Sequence, residues 1–193
     1  MASNEFQGKV VIFSAPSGAG KTTIVKALLA TQERLSFSVS ACSRAPRGQE
    51  IDGKDYHFIG VSGFKSKIHN NEFVEWEEVY KDHFYGTLKT ELNLIWRNNK
   101  TVVFDVDVVG GVNLKKKFGA NALSIFVMPP SIDVLEERLR NRKTDSEDRI
   151  NQRLSKAAQE IELSEDFDVI IENDRLEEAI SQATKVVNEF LAE

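Results

Sequence analysis

The stretch SAPSGAGKTTIVKALL, residues 14–29, decides the fold. It follows an apolar run, KVVIFS (9–14), and leads into residues whose apolar members Ile24, Val25, Leu28 and Leu29 recur at helical spacing. Between them lies Ala15-Pro16-Ser17-Gly18-Ala19-Gly20-Lys21-Thr22, which follows the pattern G-x-x-x-x-G-K-[ST] except at its first position. A short buried strand, a glycine-rich turn and a helix N-terminus aim backbone N–H groups and the helix dipole at one volume, which favours an anion. Gly18 and Gly20 let the backbone approach phosphate without an intervening Cβ. Lys21 is placed to reach the β- and γ-phosphates of a nucleotide, and Thr22 to offer its hydroxyl to Mg²⁺. Ala15 is compatible with this role if residue 15 is extended. A turn that merely contains Gly and Lys is the competing reading, and the strand and helix flanks weigh against it.

Outward from this loop, continuous apolar runs recur at TVVFDVDVV (101–109), ALSIFVM (122–128) and FDVIIEN (167–173). Helical patterns cover 87–98, 131–142, 148–164 and 174–191. Strands alternating with helices imply a parallel sheet covered on both faces. Residues 40–86 break the rhythm: turn signals at Pro46, Gly48 and Gly53 precede shorter alternating runs such as FVEWEEVY, with one short helix near 62–70. These read as an inserted lobe of small strands.

The 193 residues fit one domain with inserted lobes, and 41% hydrophobic content suffices for a core. A net charge of −5 argues against a general nucleic-acid binder. The single cysteine, Cys42, excludes an internal disulfide framework and reads as a plain small residue. MASNEFQGK lacks a basic start followed by an apolar core, and no apolar stretch approaches the roughly 20 residues of a membrane helix. A soluble cytoplasmic protein without membrane or nucleic-acid partners is expected. His57, His69 and His83 show no metal-ligand spacing, and Trp76 and Trp96 read as packing anchors.

The phosphate loop followed by SVSACSRAPRGQEIDGKDYHF, FVEWEEVY and FYGT, then VFDVDVVGG, PPSIDVLEERLRNRKTDSEDRINQRL and IIEND, resembles the guanylate kinase family over nearly the whole chain. The resemblance implies transfer of the γ-phosphoryl group of ATP to GMP with Mg²⁺, giving ADP and GDP, with deoxy-GMP left open as an acceptor. It implies a phosphate-loop core (1–39 and 87–193), a GMP-binding lobe (40–86) and a helical lid at about 138–153. Oligomeric state stays open.

The resemblance assigns the loop residues Ala15 to Thr22, with Thr23, Arg138 and Asn173, to ATP, Asn173 near the adenine. It assigns Ser40, Arg44, Arg47, Glu50, Tyr56 and Tyr85 to GMP, chiefly around its phosphate. Two guanidinium groups flanking the stiff Pro46 suit a phosphate monoester, since each donates parallel hydrogen bonds. Glu75 is matched to the guanine N1–H and amino group, Thr87 to O6, and Asp107 to the amino side. By pattern alone, Glu75 is equally an ordinary strand carboxylate, sharing a face with Glu77 and Val79 by strict alternation.

Asp105 and Asp107 fall on one face of the expected strand 101–109, near its C-terminal end, where parallel sheets bind ligands. Asp105 suits hydrated Mg²⁺ together with Thr22. Two aspartates ending a strand as turn formers are the alternative. Where many members of the family carry serine and glutamine, this chain has Thr87 and Val109. Arg138 and Arg142, and Arg149 and Arg153, are four apart and so share helix faces. Lys21, Arg142 and Arg153 are the catalytic residues the resemblance implies, while Arg140, Lys143 and Arg149 read as surface charges. A phosphopeptide-binding scaffold of the same fold has no need of Lys21, Thr22 and the lid arginines together. A kinase for another nucleoside monophosphate would lack the Glu75 and Thr87 pair.

Overall fold

The computed structural model describes residues 8–141 and 146–193. Apolar Val10–Ser14 forms β1, fully buried, and Lys21–Thr31 forms α1, which turns Ile24, Val25 and Leu28 inward. The remaining strands are β2 (Leu35–Phe37), β3 (Ala41–Cys42), β4 (His57–Phe58), β5 (Phe73–Tyr80), β6 (His83–Leu88), β7 (Thr101–Asp105), β8 (Ala122–Met128) and β9 (Val169–Glu172). The helices after α1 are α2 (Gly60–His69), α3 (Lys89–Arg97), α4 (Val108–Phe118), α5 (Ile132–Asn141), α6 (Glu147–Glu162) and α7 (Leu176–Ala192).

Five strands form one sheet in the order β2-β7-β1-β8-β9, and β1 pairs in parallel with β8, as β8 does with β9. The chain leaves β1 for one side of the sheet and returns to fill the other. The carboxyl end of β1 is therefore the switch point where such sheets open a ligand crevice. The phosphate loop occupies that end. Phe13, Ile24, Leu28, Ile125 and Leu135 are fully buried in the surrounding core, and α7 contributes Ala179, Ala183 and Val187 at helical spacing.

The second sheet is β4-β3-β6-β5, with β3 parallel to β4 and antiparallel to β6. Its core is aromatic: Phe64 of α2 stacks on Phe73 at 4.3 Å and on Phe84 at 5.3 Å between ring centroids. The chain divides into two compact units, 1–35 with 103–193, and 36–102. The second unit includes α3, which contacts β6 of its sheet.

Two local expectations are corrected. The apolar run 101–109 is not one strand: β7 stops at Asp105 and α4 begins at Val108. Asp107 caps that helix, its carboxylate accepting the Gly110 N–H at 2.7 Å, so it does not share a strand face with Asp105. A short apolar run does not by itself distinguish a strand from a buried helix start. Alternation along β5 is also broken, since the register shifts between Phe73 and Glu75 and again between Glu78 and Tyr80. The first shift lets Phe73 and Val74 both be buried; regular pairing holds from Glu75 to Glu78.

Candidate active site

In the first unit, the phosphate loop walls a cavity of about 370 Å³. Ala15, Pro16, Ser17, Gly18, Gly20, Lys21, Thr22 and Thr23 line it from one side, and Asp105 and Asp107 from the end of β7 and the cap of α4. Gly18 and Gly20 hold φ values of 103° and 97°, the left-handed region that glycine tolerates. Ala15 is not among the described residues with positive φ and is nearly buried, so alanine fits the departed position without strain.

Lys21 Nζ donates to the Val106 carbonyl at 2.6 Å and forms an ion pair with Asp105. The other Asp105 oxygen accepts the Thr22 hydroxyl at 3.0 Å. Thus Lys21 and Thr22 of the loop motif and Asp105 from the end of β7 meet at one corner of the cavity. That corner fits a hard divalent cation: it offers one carboxylate and one hydroxyl, as suits Mg²⁺ taking its remaining ligands from phosphate and water. Among the described residues, no group of three or more His, Cys, Asp or Glu side chains is placed as a complete metal cage.

From α6, Arg153 donates to the Ser17 hydroxyl, tying that helix to the loop. Lys156 and Glu160 also line the cavity, and they were missed from sequence. The signal existed, because positions 153, 156 and 160 repeat at the spacing of one helix face. Glu160 is buried beside Lys156, which it pairs with at 3.3 Å. Burial pushes its carboxyl above the ordinary range, Lys156 opposes this, and the nearby Asp107 charge adds to the rise. Arg138 donates to the Asn173 carbonyl at 2.9 Å, and Arg140 bridges Glu136 and Glu147 as a surface pair. Arg142 lies outside the described residues.

The second unit carries a separate polar cluster. Arg44 forms a two-pronged pair with Glu50, at 2.6 and 2.7 Å, and donates from Nε to the Tyr85 hydroxyl at 3.0 Å. Its guanidinium lies over the Tyr56 ring at 5.0 Å, and Tyr56 meets Tyr85 edge to face. Burial raises the Tyr56 hydroxyl pKa. Glu50 also accepts the Arg47 N–H at 2.7 Å, closing the turn, while the Arg47 residue is exposed. Ser40 accepts the His57 N–H through its carbonyl. On the adjoining strands, Glu75 and Thr87 are directly opposed, and the nearly fully buried Thr87 donates its hydroxyl to Glu75 at 2.6 Å. Thr87 therefore orients the carboxylate here. Gly86 is required beside them: a Cβ would press on the Glu75 carbonyl and Trp76.

The Arg44 fork holds the Glu50 carboxyl down at about 2. A depressed carboxylate stabilises the folded state fully above its unfolded pKa, and that contribution disappears as pH falls through the folded value. Acid unfolding of wild type should therefore lose stability between pH 4.5 and about 2 that Glu50→Gln does not lose. Denaturant titrations at several pH values check this, and parallel curves for the two proteins would mean the fork is absent in solution.

The strand order, the loop at the switch point and the Lys21–Thr22–Asp105 corner define a phosphate-loop nucleotide-binding protein. A family model described as guanylate kinase matches residues 7–190. A guanylate kinase of Bacteroides fragilis is 51% identical over 96% of this chain and 91% of its own length. That of Porphyromonas gingivalis is 49% identical over 95% of this chain and 98% of its own. The crystal structure of guanylate kinase from Anaplasma phagocytophilum superposes with a TM-score of 0.72 at 28% identity, covering 94% of this chain and 85% of that one. The chain belongs to the guanylate kinase family.

Proposed function

We propose that this chain transfers the γ-phosphoryl group of ATP to GMP, as an ATP:GMP phosphotransferase. An oxygen of the GMP phosphate attacks the γ-phosphorus, and the bond from that phosphorus to the β–γ bridging oxygen breaks, giving GDP and ADP. The observation that carries the reading is the phosphate-loop cavity, complete with Lys21, Thr22 and Asp105, in a chain of this family.

In this reading, loop N–H groups, Lys21 and Arg153 bind the ATP phosphates, and Lys21 opposes charge on the β- and γ-oxygens as the bond breaks. Arg142 keeps the catalytic role that the resemblance implies. Thr22 and Asp105 are the residues that would hold Mg²⁺, which neutralises phosphate charge when bound. Arg44, Arg47, Tyr56 and Tyr85 serve the GMP phosphate, with Ser40 and Glu50 completing that cluster. Glu75 serves the guanine, with Thr87 beside it and Asp107 on the amino side. The setting is cytoplasmic, where ATP and GMP are supplied and a free thiol such as Cys42 persists.

A coupled assay of ADP release with GMP, AMP, UMP and CMP in parallel tests the reading. GMP is expected to support turnover far above the other three. Appreciable ADP only with AMP or a pyrimidine nucleotide would overturn it.

A further inference from the structure

We infer that Asn173 is a positioning residue for the phosphate loop, setting the Ala19–Gly20 peptide so that the Gly20 N–H faces the cavity. Asn173 follows β9 and is only 5% exposed. Its backbone N–H donates to the carbonyl of Met128 at the end of β8, at 2.8 Å. Its own carbonyl accepts from Arg138 of α5 at 2.9 Å. The main chain of Asn173 is thus held from both sides, and its side chain projects from a fixed point.

That side chain spends an amide N–H on the Ala19 carbonyl at 2.7 Å, within buried surroundings. Ala19 is fully buried, so this carbonyl has no recourse to solvent. In a trans peptide the C=O and the following N–H point in opposite directions, and the described chain contains no cis bond. Drawing the Ala19 oxygen toward Asn173 therefore turns the Gly20 N–H the other way, and Gly20 lines the cavity whereas Ala19 does not. Gly20 also shows how closely the loop lies on the amide: a Cβ there would collide with Asn173 Nδ2. This bond uses one of the two amide N–H groups, and an adenine contact, the role the family resemblance implies, would use the other N–H or the Oδ1.

The inference rests on the reading that the cavity takes the ATP phosphates, and it is tested by separating phosphate from base. Asn173→Ala is compared with wild type for the KM of ATP at saturating GMP and for binding of inorganic tripolyphosphate by calorimetry. Loss of the partner of a buried carbonyl should weaken both by a similar factor, about tenfold, and leave the KM of GMP unchanged. If ATP use weakens while tripolyphosphate binds as in wild type, Asn173 reads the adenine and the inference fails. Unchanged values for both ligands also overturn it. Should the alanine variant not fold, Asn173→Ser, whose hydroxyl is too short to reach Ala19, gives the same comparison. Wild-type protein that binds tripolyphosphate but phosphorylates no GMP would break the functional reading and leave this one standing.

Discussion

Lys21→Ala is expected to lose about 10²- to 10³-fold in turnover at saturating ATP and GMP, while the fold persists. Phosphoryl transfer relies mainly on positioning and on neutralising charge that spreads over the phosphate oxygens. Lys21 is the only side-chain cation within the loop 15–22, and it stands at the corner shared with Asp105 and Thr22. Its Nζ is held by the Val106 carbonyl and the Asp105 carboxylate, both at the end of β7, and all three residues line the cavity. The truncation removes that charge without touching β1 or the buried face of α1, formed by Ile24, Val25 and Leu28. Far-UV circular dichroism should therefore match wild type. Near-normal turnover in the variant would sink the phosphate-loop assignment.

The second large effect concerns base choice. Glu75→Gln should lower kcat/KM for GMP by about 30- to 1000-fold, or about 2–4 kcal/mol, and leave the KM of ATP nearly unchanged. Guanine presents N1–H and an amino group as neighbouring donors, and a carboxylate accepts both. Thr87 donates to one Glu75 oxygen at 2.6 Å, and a glutamine would keep its carbonyl oxygen there. Its NH₂ would then replace the other carboxylate oxygen and oppose a guanine donor. AMP should begin as a poor substrate, since its N1 is an acceptor that repels the carboxylate and its position 2 bears no amino group. Sites built to bond a polar group reject analogues that lack it. The variant should thus narrow the gap between GMP and AMP, chiefly by losing GMP. Steady-state kinetics on both nucleotides decide this; wild-type kcat/KM for GMP in the variant would make Glu75 an ordinary strand residue.

Much of the architecture was legible because its causes are local. Strand β8 falls on the expected apolar run 122–128, and α2, α5 and α7 fall within two residues of the expected limits. The run 101–109 misled because apolar periodicity says nothing of a cap, and the bond from Gly110 to Asp107 divides it into strand and helix. Lys156 and Glu160 escaped notice because an exposed lysine and a glutamate on a polar helix look like solvated charges. Only the packing of α6 beside the loop makes them cavity walls.

By itself, the sequence determined the strand–loop–helix at 10–31, the alternation that builds the main sheet, and the family resemblance carried by ordered motifs. Each depends on neighbours within a few residues, where backbone sterics and hydrophobic spacing act directly. The tertiary structure decided how the polar groups are spent. Thr87 gives its hydroxyl to Glu75, Arg44 closes its fork on Glu50, Arg138 holds the end of β9, and Asn173 bonds Ala19. Asn173 and Ala19 are 154 positions apart. A hydrogen bond forms only where donor and acceptor come within about 3 Å in the right direction, and no local spacing in the chain encodes that meeting.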